Sequence, residues 1–295
     1  MTSQARSYDD GRRHRRSQSS RRVQHATRIA AINIIVAVGG LLIAFPFFYL
    51  IVSSFKRENQ IYQIPLSLIP TPPTLAEYRQ LFTLYSFPRW FLNSAIVGVG
   101  ATASALLVCS LAGFALAKYD FPGKRVIFVM ILATLTLPFQ VLLVPLFKEM
   151  VAFHWIDTYL ALILPFTANA FGVFLLRQFM LGVPTSLLEA ARLDGASELT
   201  LYWRIALPLI RPGLAVMAIL FFTASWNDFL WPLIASTSDD MYLLSVGIAT
   251  MSSSYHVEYG TIMAASVLAT LPVAIIFLFL QQQFIAGLTA GALKG

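Results

Sequence analysis

Six apolar runs, each of about 20 residues or a little more, recur along the chain at about 28–55, 90–117, 126–147, 158–179, 212–234 and 261–284. No other feature narrows the fold as much. A helix needs about 20 apolar residues to cross roughly 30 Å of hydrocarbon. In lipid every backbone N–H and C=O must find its partner inside the protein, so these spans are helices. The expected fold is all-α and integral to the membrane, with six transmembrane helices. Composition agrees, at 57% hydrophobic and 12% charged, against about 25% charged in soluble domains.

The runs differ in quality. The second is rich in small residues, among them Gly98, Gly100, Ala101, Ala105 and Gly113. Small residues let helix backbones approach closely, so this span belongs inside the bundle. Its Gly98-x-Gly100-x-x-Ala103 is a decoy, because a dinucleotide fingerprint needs a preceding strand. Pro46 is expected to kink the first span, and Pro138 and Pro145 make the third irregular. Pro165 and Pro272 lie in the fourth and sixth. Between spans one and two, Pro65, Pro70, Pro72 and Pro73 forbid a long helix, and a short amphipathic helix over 74–82 is expected after them. The stretch 236–260 reads as a polar external loop.

The net charge of +7 is concentrated. Eight of the 21 Lys and Arg lie in the first 28 residues, leaving 13 basic against 12 acidic residues in the remainder. Residues 1–27 read as a disordered basic tail that attracts anionic lipid headgroups, and not as a nucleic-acid-binding segment. No cleavable signal peptide is expected, since the first apolar run is too long and lacks a cleavage site. With the N-terminus inside, the inner segments carry 16 Lys and Arg and the outer segments 5. That asymmetry places both termini in the cytoplasm. Cys109 is the lone cysteine, so no disulfide forms within the chain.

One polar stretch is long enough to have a job of its own, about 182–211. Pro184 opens a short helix that carries Glu189-Ala190-Ala191. Asp194-Gly195-Ala196 ends it, because Gly accepts backbone angles that stop a helix. Ser197 can cap a second short helix. Ile205, Leu207 and Pro208 lead into the next span. The charge asymmetry puts this stretch on the cytoplasmic side.

E-A-A, D-G-A and I-A-L-P at these offsets resemble the coupling loop of binding-protein-dependent ABC importers. The chain from 28 to 295 is similar to a permease subunit of the maltose-type carbohydrate family. The segment Ile69-Pro70 through Tyr78 and the ending from Gly287 to Gly295 add to the likeness. The resemblance implies a type I importer permease fold in a bacterial inner membrane, forming half of a pathway for a sugar or sugar-like solute. It implies four kinds of partner: a homologous permease, two ATPase subunits, an extracytoplasmic binding protein and membrane lipid. Glu189 is then expected to pair with an ATPase arginine, and Ala190, Ala191 and Ala196 to seat in its cleft. Leu187, Leu188 and Leu193 supply apolar contact, Asp194 and Gly195 the turn, and Ile205, Leu207 and Pro208 the link to the fifth span. In some relatives the C-terminal tail reaches the ATPase.

Catalytic patterns are missing. There is no P-loop, no H-E-x-x-H and no G-x-S-x-G. The four His residues, at 14, 25, 154 and 256, are scattered, so no metal site is expected. The chain is read as a non-enzyme that binds no cofactor itself, with ATP-Mg held by the partner ATPase. Asp228 is the one carboxylate well inside a span, in the run Ser225-Trp226-Asn227-Asp228. Such a charge is a functional candidate by default. Trp226, Asn227 and Asp228 either line the pathway or anchor the helix at the outer interface, where Trp is expected anyway. Asn93, Gln140 and Asn169 are expected to bond between helices. A secondary carrier or channel is the alternative, but it would show several intramembrane carboxylates and repeated halves.

Overall fold

A computed structural model describes the backbone of residues 3–65, 67–252 and 257–292, and side chains within 28–282 of that range. All regular elements among them are helical. Helix α1 (Ser3–Ser53) is followed by α2 (Glu58–Ile61), α3 (Ala76–Leu84) and α4 (Phe87–Lys118). Next come α5 (Lys124–Thr134), α6 (Phe139–Ala152), α7 (Tyr159–Ile163) with a 3-10 turn over Leu164–Phe166, and α8 (Ala170–Leu181). The polar loop holds α9 (Thr185–Leu193), α10 (Glu198–Thr200), a π-helical stretch Leu201–Ala206 and α11 (Leu207–Leu209). Then α12 (Arg211–Trp226), α13 (Leu230–Ala235), α14 (Leu244–Ser252) and α15 (Tyr259–Ala292) complete the chain.

Among the described residues, three helices are long and apolar enough to cross a membrane unbroken: Arg28–Ser53 of α1, all of α4, and Tyr259–Gln282 of α15. Three further spans exist only as bent pairs. The α5–α6 pair turns by 101°, the α7–α8 pair by 48°, and Glu198–Leu209 meets α12 at 80°. The fourth span is therefore broken where the sequence suggests a single helix, the third is interrupted as its prolines imply, and the fifth is bent at its entry. The cause is local. Pro138 sits extended (φ −67°, ψ 135°) before α6, Pro165 is held in a 3-10 turn, and Pro212 opens α12 after Ile210 leaves helical geometry (φ −98°, ψ 16°). Proline cannot donate an N–H and restricts the residue before it, which ends or bends a helix.

Helix α1 begins at Ser3, well before the first apolar run. No Pro precedes Pro46, and Arg, the commonest residue before the first apolar run, is a good helix former. The side chains of 1–27, and those of the ending from Gly287, lie outside the described residues.

Helix α4 is the centre, as its small residues imply. In its most apolar stretch 39% of residues are buried, against none in α1 and 11% in α15. It packs mainly on α8 and α12. Close approach explains Gly113: a Cβ there would lie 2.9 Å from the backbone N of Arg177 on α8. Near its N-terminus α4 spends its polar groups on the segment after α13. Asn93, fully buried, donates to the carbonyls of Asp240 (2.8 Å) and Tyr242 (3.0 Å) and accepts from the Tyr159 hydroxyl (2.7 Å). The Ser94 hydroxyl accepts from Leu244 N–H (2.7 Å). These bonds hold 240–244 against α4, so that part of the stretch read as a polar external loop is packed on the protein. The run from Leu243 to Met251 is apolar but too short to span, and it forms α14 with Leu244, Val246 and Met251 buried.

Candidate functional site

Two places in the fold have geometry beyond packing. The first is the polar loop between Leu181 and Arg211. Helix α9 ends in a Schellman motif. Gly195 takes φ +83°, its N–H bonds the Arg192 carbonyl (3.0 Å), and Ala196 N–H reaches the Ala191 carbonyl (3.0 Å). Ser197 then caps α10 by accepting from Thr200 N–H (3.3 Å). A bidentate pair closes the turn: Arg192 Nε and Nη2 donate to Glu198 Oε1 (2.9 Å) and Oε2 (3.1 Å). Glu198 also accepts from the Tyr119 hydroxyl at the end of α4. The loop is thus one rigid corner tied to the central helix.

Its side chains divide into two faces. Leu188 is 1% exposed and belongs to the core that includes Phe114, Leu176 and Met217. Ala191, Ala196, Ile205 and Leu207 pack against that same core, and Pro208 is half-buried. Leu188 therefore faces the permease itself and does not supply the outward contact expected of it. On α9 it shares a face with Ala191, one turn along and packed on the same core. Glu189, Ala190, Asp194 and Gly195 are exposed, and Leu193 is 90% exposed.

Beyond α10 the helix widens. Leu207 N–H reaches back five residues to the Tyr202 carbonyl. Pro208 offers no N–H and would press on the carbonyl four residues before it, and the wide turn accommodates both. Tyr202 anchors this stretch. It is 1% exposed, its hydroxyl pairs with Ser110 of α4 (2.7 Å), and its ring tilts against Phe114 at 5.6 Å. The sequence did not single it out beside Trp203, which is exposed. The readable signal is the spacing of four in Tyr202, Ala206 and Ile210, all buried.

The second place is a cavity of about 240 Å³ lined by Ala101, Ala105, Phe139, Phe166, Asn169, Phe221, Ala224, Ser225 and Asp228. Helix α12 ends at Trp226, so Asp228 lies in a break before α13 and not inside a continuous span. The backbone N–H groups of Phe229, Leu230 and Trp231 bear on its carboxylate. Asn169 caps α8 by accepting from Gly172 N–H (3.0 Å). The run singled out at 226–228 does not act as a unit. Trp226 is buried, donates to the Ala269 carbonyl (2.9 Å) and stacks on Phe222. Asn227 donates to the Thr223 carbonyl (2.9 Å). These two border a different cavity, of about 380 Å³, shared with Phe47, Ser245 and Thr270. Of the three, Asp228 alone lines the first.

Residues 105–289 match the family model for the binding-protein-dependent transport system inner membrane component. The chain belongs to this family. The permease is 40% identical over 268 residues to the arabinooligosaccharides transport system permease protein AraQ of Bacillus subtilis, covering 90% of this chain and 95% of that one. It is 33% identical to the diacetylchitobiose uptake system permease protein NgcG of Streptomyces coelicolor, with 90% of each chain covered. Its fold matches the crystal structure of a bacterial ABC transporter involved in the import of the acidic polysaccharide alginate. The TM-score is 0.79 at 22% identity, over 87% of this chain and 97% of that chain. The permease is thus an inner-membrane component of an ABC importer, and the carrier or channel alternative falls away.

Proposed function

We propose that this permease forms half of the translocation pathway for a sugar or sugar-like solute and passes the motion of a separate ATPase to that pathway through the 182–211 loop. It pairs with a homologous permease, two ATPase subunits that hold ATP-Mg, and an extracytoplasmic binding protein. It carries no catalysis of its own. Both termini and the loop lie in the cytoplasm, as the distribution of Lys and Arg requires. The names of the relatives, which transport arabinooligosaccharides and diacetylchitobiose, support a carbohydrate.

The observation that carries this reading is the outward face of α9. Leu193 is 90% exposed on a corner held by a Schellman turn and a bidentate ion pair. A large apolar side chain on a rigid, protruding corner is a docking anchor. Glu189, one turn before it, supplies a carboxylate for a charge-assisted pair with an arginine. Glu189, Ala190, Leu193, Asp194 and Gly195 form the docking face in this reading, and Ala191 and Ala196, expected to seat in the ATPase cleft, instead fix that face on the permease core. Ile205, Leu207 and Pro208 convey its displacement to α12.

Glu189→Lys tests it. Uptake is expected to fall at least a hundredfold, while the chain still inserts and the ATPase no longer co-purifies. Normal uptake in membranes carrying that variant would remove the docking role.

A further inference from the structure

The 240 Å³ cavity lies where three broken spans meet. Phe139 opens α6, Phe166 and Asn169 flank the break before α8, and Ser225 and Asp228 flank the break after α12. Irregular backbone at membrane depth is tolerated only where it is buried in protein or lines a wet cavity. Ala101 and Ala105 of the continuous α4 give the cavity a small-residue wall. Three Phe rings provide apolar faces. Asn169 Oδ1 is used by Gly172 N–H, which leaves its amide donors toward other partners. Ser225 adds a hydroxyl, and Asp228 a carboxylate with no Lys, Arg or His among the lining residues.

This set suits one ligand chemistry. Ring faces take the C–H surface of a sugar, and the carboxylate accepts hydroxyl donors. A carboxylate or phosphate on the solute would instead meet a like charge in a low-dielectric site with no cation to offset it. We infer that this cavity is the permease's own solute-contact site, that it takes uncharged polyhydroxylated solutes, and that Asp228 is the specificity determinant that turns anionic ones away. The acidic polysaccharide handled by the fold neighbour shows that the fold itself sets no such limit. The inference rests on the pathway role proposed above.

The chain suits a thiol-labelling test, because its single cysteine, Cys109, is fully buried. In the assembled importer in membranes, Ser225→Cys is treated with a cationic and an anionic methanethiosulfonate reagent. Rates are normalised to those for a small thiol in solution. The cationic reagent is expected to gain about tenfold over the anionic one, and adding Asp228→Asn to bring the ratio near unity. Asn has nearly the same shape and keeps an accepting oxygen, so this variant removes the charge with little change in volume. Arabinotriose or maltotriose at millimolar concentration is expected to slow labelling at least threefold, and trigalacturonate to leave it unchanged. Ala224→Cys carries the same test should Ser225→Cys fail to assemble. Three results overturn the inference: no labelling in any nucleotide state, a charge ratio unmoved by Asp228→Asn, or equal protection by neutral and anionic sugars. None of them depends on the ATPase docking at Glu189, so failure here and failure of the coupling reading are separable.

Discussion

Helices α4 and α12 pack side by side, yet one runs 32 residues without interruption and the other is cut at both ends. Along α4 the polar side chains hold neighbours in place: Asn93 and Ser94 fix the segment after α13, and Ser110 holds Tyr202. Its C-terminal carbonyls are held too, with Arg177 Nε donating to Leu116 (3.2 Å). Helix α12 is joined to the coupling corner through an 80° bend and to α13 through the break at Asp228. The contrast is between a mast and a lever. A continuous helix with all its polar groups committed resists displacement. A segment bounded by two backbone breaks can tilt as a unit, with the strain taken at a few residues.

The largest expected effect comes from breaking the mast. In Gly113→Val the new side chain has no room, because the obstacle is the backbone of Arg177 and not a flexible side-chain end. Overpacking of this kind costs roughly 1–3 kcal/mol, and more where backbone must move. The expected outcome is loss of folded permease, read as a fall in monodisperse protein after detergent extraction. Wild-type yield and thermal stability would mean that α4 and α8 can part without penalty.

A smaller effect is expected at the inner end of the lever. Gly195 holds φ +83° in open space, so substitution meets backbone strain and no clash. A left-handed residue with a Cβ costs about 1–2 kcal/mol, less for Asn. Gly195→Ala should leave insertion intact and lower solute-stimulated ATP hydrolysis, with Gly195→Asn in between. The reverse order of Ala and Asn would detach the turn geometry from coupling.

How far the sequence alone led differs between the two helices for a physical reason. The number of apolar segments, the central place of the small-residue span, and the turn at Gly195 follow from length, side-chain size and backbone preference, all local properties. The breaks in spans three to five were signposted by Pro138, Pro165 and Pro212, but a proline does not say whether a helix kinks or stops. Helix α14 was hidden because a nine-residue stretch mixing apolar residues with Ser245, Thr250 and Ser252 suits a loop until Asn93 and Ser94 are seen to receive its start. Leu188 and Leu193 look alike in sequence, and only the rotation of α9 on the core tells the inward one from the outward one. The cavity was illegible for a stronger reason: Phe139, Asn169 and Asp228 come from three segments that only tertiary packing brings together.

The smallest effect concerns the outer end of the lever, where Asp157 ties α13 to the connection before α7. Its N–H donates to the Ala235 carbonyl (2.9 Å), and its Oδ1 accepts from the N–H groups of Thr237 (2.8 Å) and Ser238 (3.0 Å). Partial burial pushes the carboxyl up, but hydrogen bonds from Ser238 and Thr237 outweigh it and hold the group below its ordinary value. A depressed carboxyl stabilises the fold above its unfolded pKa of about 3.9, and that contribution disappears as pH falls through the folded value. Asp157 sits at φ +62°, which Asn tolerates, so Asp157→Asn removes the charge and keeps the turn. The difference in melting temperature between wild type and variant should be constant from pH 6 to 8. It should begin to shrink near pH 4 and close only below the depressed folded value, since protonated Asp and Asn then accept alike. The group is partly exposed, so the effect belongs with weak surface interactions, at most about 1 kcal/mol. A difference that showed no decline between pH 6 and pH 3 would point to shape and not charge as what Asp157 contributes. The α13 end of the lever would then be held by packing, like the mast.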